Sequence, residues 1–174
     1  MPTTSEHCEH SVVVRHIMPA DFEAKAKVHS QTWHETYQGK LPQWLVDKIT
    51  PEFALEVTKR HDPANVFVAL VDDEVVGYAE SANPARKPSD YPNCAELAAI
   101  YVLNRCHGLG IGRKLAQAVF DALPTKRVVL WVQESNDKAQ GFYRHIGFHP
   151  TGKVQIEDDG ASKELEYANF DTRQ

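Results

Sequence analysis

The residues best placed to do chemistry run from position 105 to 114: Arg105, Cys106, His107, Gly108, Leu109, Gly110, Ile111, Gly112, Arg113 and Lys114. Glycines at alternate positions leave backbone N–H groups unshielded, and a helix that begins there adds the positive end of its dipole. Arg105, Arg113 and Lys114 place positive charge beside those amides. Together these features suit a pyrophosphate. A plainer reading needs no ligand, because glycines also let a chain turn sharply from strand to helix. What is missing narrows the ligand. The dinucleotide fingerprint G-x-G-x-x-G wants glycine where this chain has Arg113, and no G-x-x-x-x-G-K-[ST] phosphate loop is present. Both motifs usually follow the first strand of their domain, whereas this loop begins past residue 100. Adenine dinucleotides and ATP fit poorly.

The elements that must hold this loop follow from periodicity and breakers. Residues 11–17 are β-branched and read as a strand. Pro19, Ala20 and Asp21 open a helix with Phe22, Ala26, Val28, Trp33 and Tyr37 as its apolar positions, and Gly39 ends it. Pro42 and Pro51 each start a further short helix. Residues 65–71 and 74–79 flank Asp72-Asp73 as a β-hairpin, and Pro84, Pro88 and Pro92 make 83–93 a surface loop. Residues 96–103 are nearly all apolar and predict a strand buried on both faces. After the glycine loop, Ile111, Leu115, Ala118, Val119 and Ala122 recur at helical spacing, and Pro124 stops that helix. Residues 127–133 predict another buried strand. Asn136 caps a helix whose one face is Ala139, Phe142, Tyr143 and Ile146, closed by Gly147. Two strands around Asp158-Asp159-Gly160 complete the chain. A hairpin, then strand–helix–strand–helix, then a second hairpin predicts an α+β sheet with at least one parallel pair.

Composition bounds the rest. With 174 residues, 42% of them apolar and 25% charged, the chain is one globular domain and neither disordered nor fibrous. The longest apolar run, 97–103, falls far short of the ~20 residues that span a bilayer. A formal charge of −5 offers no basic footprint for nucleic acid and no polybasic membrane anchor. The first ten residues lack the features of a signal peptide and read as a flexible tail before a single domain at 11–174. Cys8, Cys94 and Cys106 are odd in number and form no C-x-x-C pair, which points to a reducing cytoplasm and away from a disulfide framework. His7, Cys8, Glu9 and His10 cluster metal-ligand types, but no second cluster at structural-zinc spacing accompanies them. No metal is expected.

Arg105-Cys106-His107-Gly108-Leu109-Gly110 satisfies the pattern [QR]-x-x-G-x-[GA], with a strand before it and a helix after it. A second block follows: Leu130-Trp131-Val132-Gln133-Glu134-Ser135-Asn136, then Ala139, then Gly141-Phe142-Tyr143-Arg144-His145-Ile146-Gly147-Phe148. In these two linked blocks the chain resembles the GNAT family of acetyl-CoA-dependent N-acetyltransferases, over roughly residues 12–170. The stretch Trp33-His34-Glu35-Thr36-Tyr37-Gln38-Gly39-Lys40-Leu41-Pro42 resembles W-x-x-x-Y-x-G-x-L-P of the family branch that holds PaiA-like polyamine acetyltransferases. The resemblance implies a mixed, mostly antiparallel sheet of about six to seven strands, with a parallel pair splayed at the cofactor site.

It also implies roles. Main-chain groups of Ile100, Tyr101 and Val102 would pair with the pantetheine arm of acetyl-CoA. Amides of His107, Gly108, Leu109, Gly110, Ile111 and Gly112, with those of Arg113 and Lys114, would hold its pyrophosphate, and Asn136 matches a further cofactor contact. Tyr143 would protonate the departing thiolate, although Phe142-Tyr143 also reads as an aromatic pair on a buried helix face. Glu96, at the start of the central strand, would accept the proton of the acceptor amine, with Glu80 as second choice. Each also reads as an ordinary structural carboxylate. Trp33 and Tyr37 share a helix face and would wall the site of a cationic amine, or else belong to the core. Glu35 would add negative charge there.

The resulting expectation is direct transfer of acetyl from acetyl-CoA to a primary amine of a small molecule such as a polyamine. A protein N-terminus or lysine is the alternative acceptor, and a non-catalytic acyl-CoA-binding domain the alternative class. Transfer through Cys106 is not expected, because no sequence feature pairs it with a base. Homodimers, common in such a family, are an expectation carried by resemblance alone.

Overall fold

The computed structural model describes residues 11–174; the expected tail, with the cluster at 7–10, lies outside the described residues. The strands are β1 (Val12–His16), β2 (Val66–Val71), β3 (Glu74–Ala82), β4 (Ala95–Val102), β5 (Val128–Gln133), β6 (His149–Ile156) and β7 (Lys163–Ala168). They form one sheet in the order β1-β2-β3-β4-β5-β7-β6. The helices are α1 (Phe22–Tyr37), α2 (Gln43–Asp47), α3 (Pro51–Arg60), α4 (Ile111–Ala122) and α5 (Asp137–His145). β4 and β5 are parallel and the other neighbours antiparallel, so the expected mixed α+β sheet is the one found. The parallel pair arises where a crossover helix, α4, joins the two strands. At the hairpin between β2 and β3, Asp72 and Asp73 both take positive φ, +48° and +66°, as a two-residue turn of this hand requires.

The sheet is covered on both faces. A side chain at Gly77 would meet Leu115 of α4, while its neighbour Tyr78 lies under the Lys25 ammonium of α1. Successive strand residues point to opposite faces, so α4 and α1 pack on opposite sides of β3. Ile111, Leu115 and Val119 of α4 are buried in the main core, which also holds Val68, Val76 and Leu97 of the sheet.

The feature that makes the site is a parting of strands. β4 pairs with β5 only at Ala95↔Val128 and Glu96↔Val129. On its other side, β4 pairs with β3 at Ser81↔Leu97 and then Glu80↔Ala99, so Ala98 is an extra residue, a bulge. A bulge bends its strand, and from here β4 leaves β5. The expectation that 96–103 is buried on both faces is corrected accordingly. Ala95, Glu96 and Leu97 are buried, whereas 98–102 are half-buried because they border a cleft. An apolar run has the same pattern whether it faces packed protein or a cavity.

The end that stays paired is held by carboxylates. Glu96 is 2% exposed and accepts from Arg86 at its backbone N–H (3.0 Å), Nε (3.0 Å) and Nη2 (2.7 Å). Glu166 on β7 is fully buried and accepts from Ser89 Oγ (2.6 Å), Tyr91 Oη (2.6 Å) and Thr151 Oγ1 (2.7 Å). Trp131 of β5 donates to Ser89 Oγ at 3.0 Å. The loop at 83–93 is thereby tied down across the sheet.

Gly77 tests how tightly β3 and β4 are packed. Its Cβ would stand 2.8 Å from the Tyr101 carbonyl oxygen and 3.3 Å from Leu115 Cδ1. Gly77→Ala should lower the unfolding free energy by about 1–3 kcal/mol, read from the midpoint of a urea titration.

Candidate functional site

Where β4 and β5 part, a cleft of about 830 Å³ opens, a size typical of ligand sites. The glycine loop and the start of α4 form one end. Gly108 and Gly110 have φ of +82° and +74°, and a Cβ at either would meet nothing within 4 Å. Glycine is thus needed there for backbone conformation, and the space above it is open. The amides from Gly108 to Arg113 donate to no acceptor among the described residues. Two of the expected amides drop out: His107 N–H is committed to the Asn104 carbonyl at 3.1 Å and Lys114 N–H to that of Gly110 at 3.1 Å. The loop is therefore a row of outward donors at a helix N-terminus, a geometry that holds anions.

The charged side chains sort differently from their order in sequence. Arg105 turns away and pairs with Glu74 at 2.6 Å, whereas Arg113 borders the cleft. Lys138, which sequence reasoning did not single out, also borders it and donates to His107 Nδ1 at 2.6 Å. The other ring nitrogen of His107, Nε2, donates to the Val102 carbonyl at 2.8 Å. Nothing in the local pattern marks Lys138 beyond its place two residues after the cap Asn136.

Along the middle of the cleft lie Ile100, Tyr101 and Val102 on one side and Tyr143 of α5 on the other. Tyr143 is 8% exposed and its ring packs edge-on against Phe142 and Phe148. Its hydroxyl makes no hydrogen bond within the described residues, and burial holds its pKa well above the usual phenol value. Tyr143 thus belongs to the main core and also borders the cleft. Asn136 likewise combines two roles. Its Oδ1 accepts from Ala139 N–H at 3.1 Å, capping α5, while Nδ2 donates to Tyr37 Oη at 3.4 Å. Cys106 is buried at the cleft wall, 3.7 Å from Arg105 Nη1, and no histidine or carboxylate among the described residues bonds it.

The far end is walled by α1, by α2 and α3, and by the β6–β7 hairpin. Trp33 and Tyr37 stand 4.5 Å apart, ring to ring, and both border the cleft. Tyr37 is 3% exposed, and burial pushes its hydroxyl up to about 12. The Trp33 indole N–H is buried without a partner among the described residues. Also bordering the cleft are Glu157, Asp159, Ser162 and Glu164, together with Lys40 and Lys48. Glu35 also borders the cleft, with its Oε2 on Asn104 N–H (3.0 Å) and Oε1 on Gln31 (2.8 Å), so it braces α1 against the loop after β4.

The structure does not bring Glu96 or Glu80 to this cleft. Glu96 is locked by Arg86 at the paired end of β4, and Glu80 contacts His61 in a separate, smaller pocket beside Arg86. Among the described residues, no helix is long and apolar enough to cross a membrane.

Comparison with known proteins agrees with this geometry. The model of the acetyltransferase (GNAT) family matches residues 26–148. A probable N-acetyltransferase of Mycobacterium tuberculosis, Rv2775, is 25% identical over 149 residues, covering 83% of this chain and 83% of that protein. The peptidyl-lysine N-acetyltransferase YjaB of Escherichia coli is 32% identical over 62 residues, 36% of this chain and 41% of YjaB. The crystal structure of PaiA N-acetyltransferase from Thermoplasma acidophilum, in complex with coenzyme A, superposes with a TM-score of 0.64 at 24% identity. The match covers 90% of this chain and 98% of that one, so the fold is shared.

Asn136→Ala removes both the α5 cap and the contact to Tyr37. It should cost about 1 kcal/mol of stability in a denaturant titration, as loss of an N-cap does.

Proposed function

We propose a reaction for a chain that belongs to the acetyltransferase (GNAT) family: acetyl passes directly from acetyl-CoA to the primary amine of a small molecule such as a polyamine. The observation that carries this reading is the continuity of one cleft. It joins a row of open amides, an unpaired strand edge and an aromatic pocket fringed with carboxylates. Acetyl-CoA supplies the acetyl group as a thioester. The residues present fit it. Amides from Gly108 to Arg113, with the Arg113 and Lys138 side chains, suit the pyrophosphate. The edge at Ile100 and Tyr101, next to Val102 whose carbonyl His107 takes, suits an arm that carries amide groups, as an added strand would.

In this reading the acceptor amine lies between Trp33–Tyr37 and the β6–β7 hairpin, where aromatic faces and carboxylates favour a cation. Tyr143 donates its proton to the sulfur as the C–S bond breaks. Its raised pKa keeps it protonated until a thiolate develops beside it. Asn136 holds Tyr37 in place. A protein lysine is the second acceptor to test, since the match to a peptidyl-lysine acetyltransferase favours it. Cys94 and Cys106 are buried free thiols, which supports a cytoplasmic setting.

Calorimetry on the purified protein should detect binding of acetyl-CoA but not of NADH or ATP. Absence of acetyl-CoA binding by the folded protein would sink the reading. Gly110→Val forces a β-branched residue into left-handed backbone, at about 1–2 kcal/mol, and should weaken acetyl-CoA binding roughly tenfold. Tyr143→Phe should leave that affinity unchanged and lower kcat about 100-fold in an amine-dependent assay of free thiol.

A further inference from the structure

A primary ammonium, with a pKa of ~10.4, is no nucleophile until it loses a proton. The expected acceptor, Glu96, lies away from the cleft. The carboxylates that do border the cleft are Glu35, Glu157, Asp159 and Glu164. Two of these are committed to holding backbone. Glu35 binds the Asn104 amide, and Asp159 takes three hydrogen bonds at 2.7 Å from Ala161 N–H, Ser162 N–H and Ser162 Oγ, closing the hairpin turn. Glu157 is exposed beyond the end of β6. Glu164 remains: half-buried, aligned with Gln133 across β5 and β7, and oriented by Gln155 Nε2 at 2.7 Å.

We propose that Glu164 is the group that takes the proton from the acceptor ammonium, at the end of the cleft walled by Trp33 and Tyr37. This rests on the acetyltransferase reading above. The step balances. The Glu164 carboxylate gains one proton and the ammonium becomes a neutral amine. Nitrogen then forms a bond to the thioester carbonyl carbon as the C–S bond breaks. Tyr143 gives its proton to sulfur and recovers one from the nitrogen, and Glu164 releases its proton to solvent.

The surroundings suit the task. Burial raises the pKa of the Glu164 carboxyl above the usual carboxylate range, against the hydrogen bond from Gln155, and the neighbouring Glu157 carboxylate adds to the rise. Arg86, from the loop across the sheet, opposes it. Tyr37 of α1 and Tyr101 of β4 also feel the Glu164 charge, so the carboxylate, the aromatic wall and the strand edge share one locality. A carboxylate of raised pKa is a stronger base than an ordinary one.

The test is Glu164→Gln, compared with wild type on two acceptors: a diamine that is protonated at assay pH, and trifluoroethylamine, which is largely neutral. In wild type, kcat/KM for the diamine should fall as pH drops through the Glu164 pKa, since a protonated carboxyl accepts nothing. The variant should bind acetyl-CoA as wild type does, lose that acid limb and run about 100-fold slower on the diamine. On trifluoroethylamine it should recover towards the wild-type rate. An unchanged rate and pH limb with the diamine would overturn the proposal, as would equal slowing on both amines, the mark of a structural role. Should Glu164→Gln fail to fold in a thermal melt, Glu164→Asp must keep the acid limb at a reduced rate. A wild-type protein that binds no acetyl-CoA would fail at the earlier step, removing the acetyltransferase reading itself.

Discussion

The whole site depends on hydrogen bonds that β4 and β5 do not make. Inside a sheet, backbone N–H and C=O groups are almost always paired, and leaving them without partners is costly unless water or a ligand reaches them. Here the ladder runs through Glu96↔Val129 and stops, with the Ala98 bulge turning β4 aside. Such a parting must be braced at both ends. At the paired end the Arg86–Glu96 contact and the three hydroxyls on Glu166 fix the loop over the sheet. At the open end the first turns of α4 and α5 converge, each beginning with donors that the helix itself cannot satisfy.

From this follows a separation of charge along one cavity. Open amides with Arg113 and Lys138 make the glycine-loop end electropositive, while at the other end Glu157, Asp159 and Glu164 outnumber the bordering Lys40 and Lys48. A net charge of −5 describes neither end. In the reaction proposed above, anionic acetyl-CoA and a cationic amine would be drawn to opposite ends, and the reacting atoms would meet between them, beside Tyr143. A fold that carried only one polarity would hold one partner well and repel the other.

What the sequence made legible was local. The glycine loop, the Asn136 cap and the Trp33–Tyr37 pair each lie within one turn or one helix, so spacing alone places them. The order of strands and helices was equally readable, because each boundary carries its own proline, glycine or cap. Long-range partners leave no such mark. Nothing near Glu96 in the sequence shows that Arg86, ten residues earlier in an irregular loop, encloses it. Glu164 carries no local mark at all; only the register of β7 on β5 brings it beside the cleft. The amides of His107 and Lys114 dropped out for a related reason, since the chain closes a turn on one and begins its helical ladder with the other.

The bond from His107 to the Val102 carbonyl has one more effect. It closes the end of the exposed strand edge that leads into the glycine loop, so a guest that pairs with β4 has the stretch from residue 97 to 101 at its disposal, about 13 Å at the rise of a strand. That stretch acts as a ruler. An extended chain whose anchoring group sits on the loop amides reaches the level of Tyr143 only if its length matches. The selectivity of the cleft is then partly metric, decided by where the edge stops and less by which atoms line it.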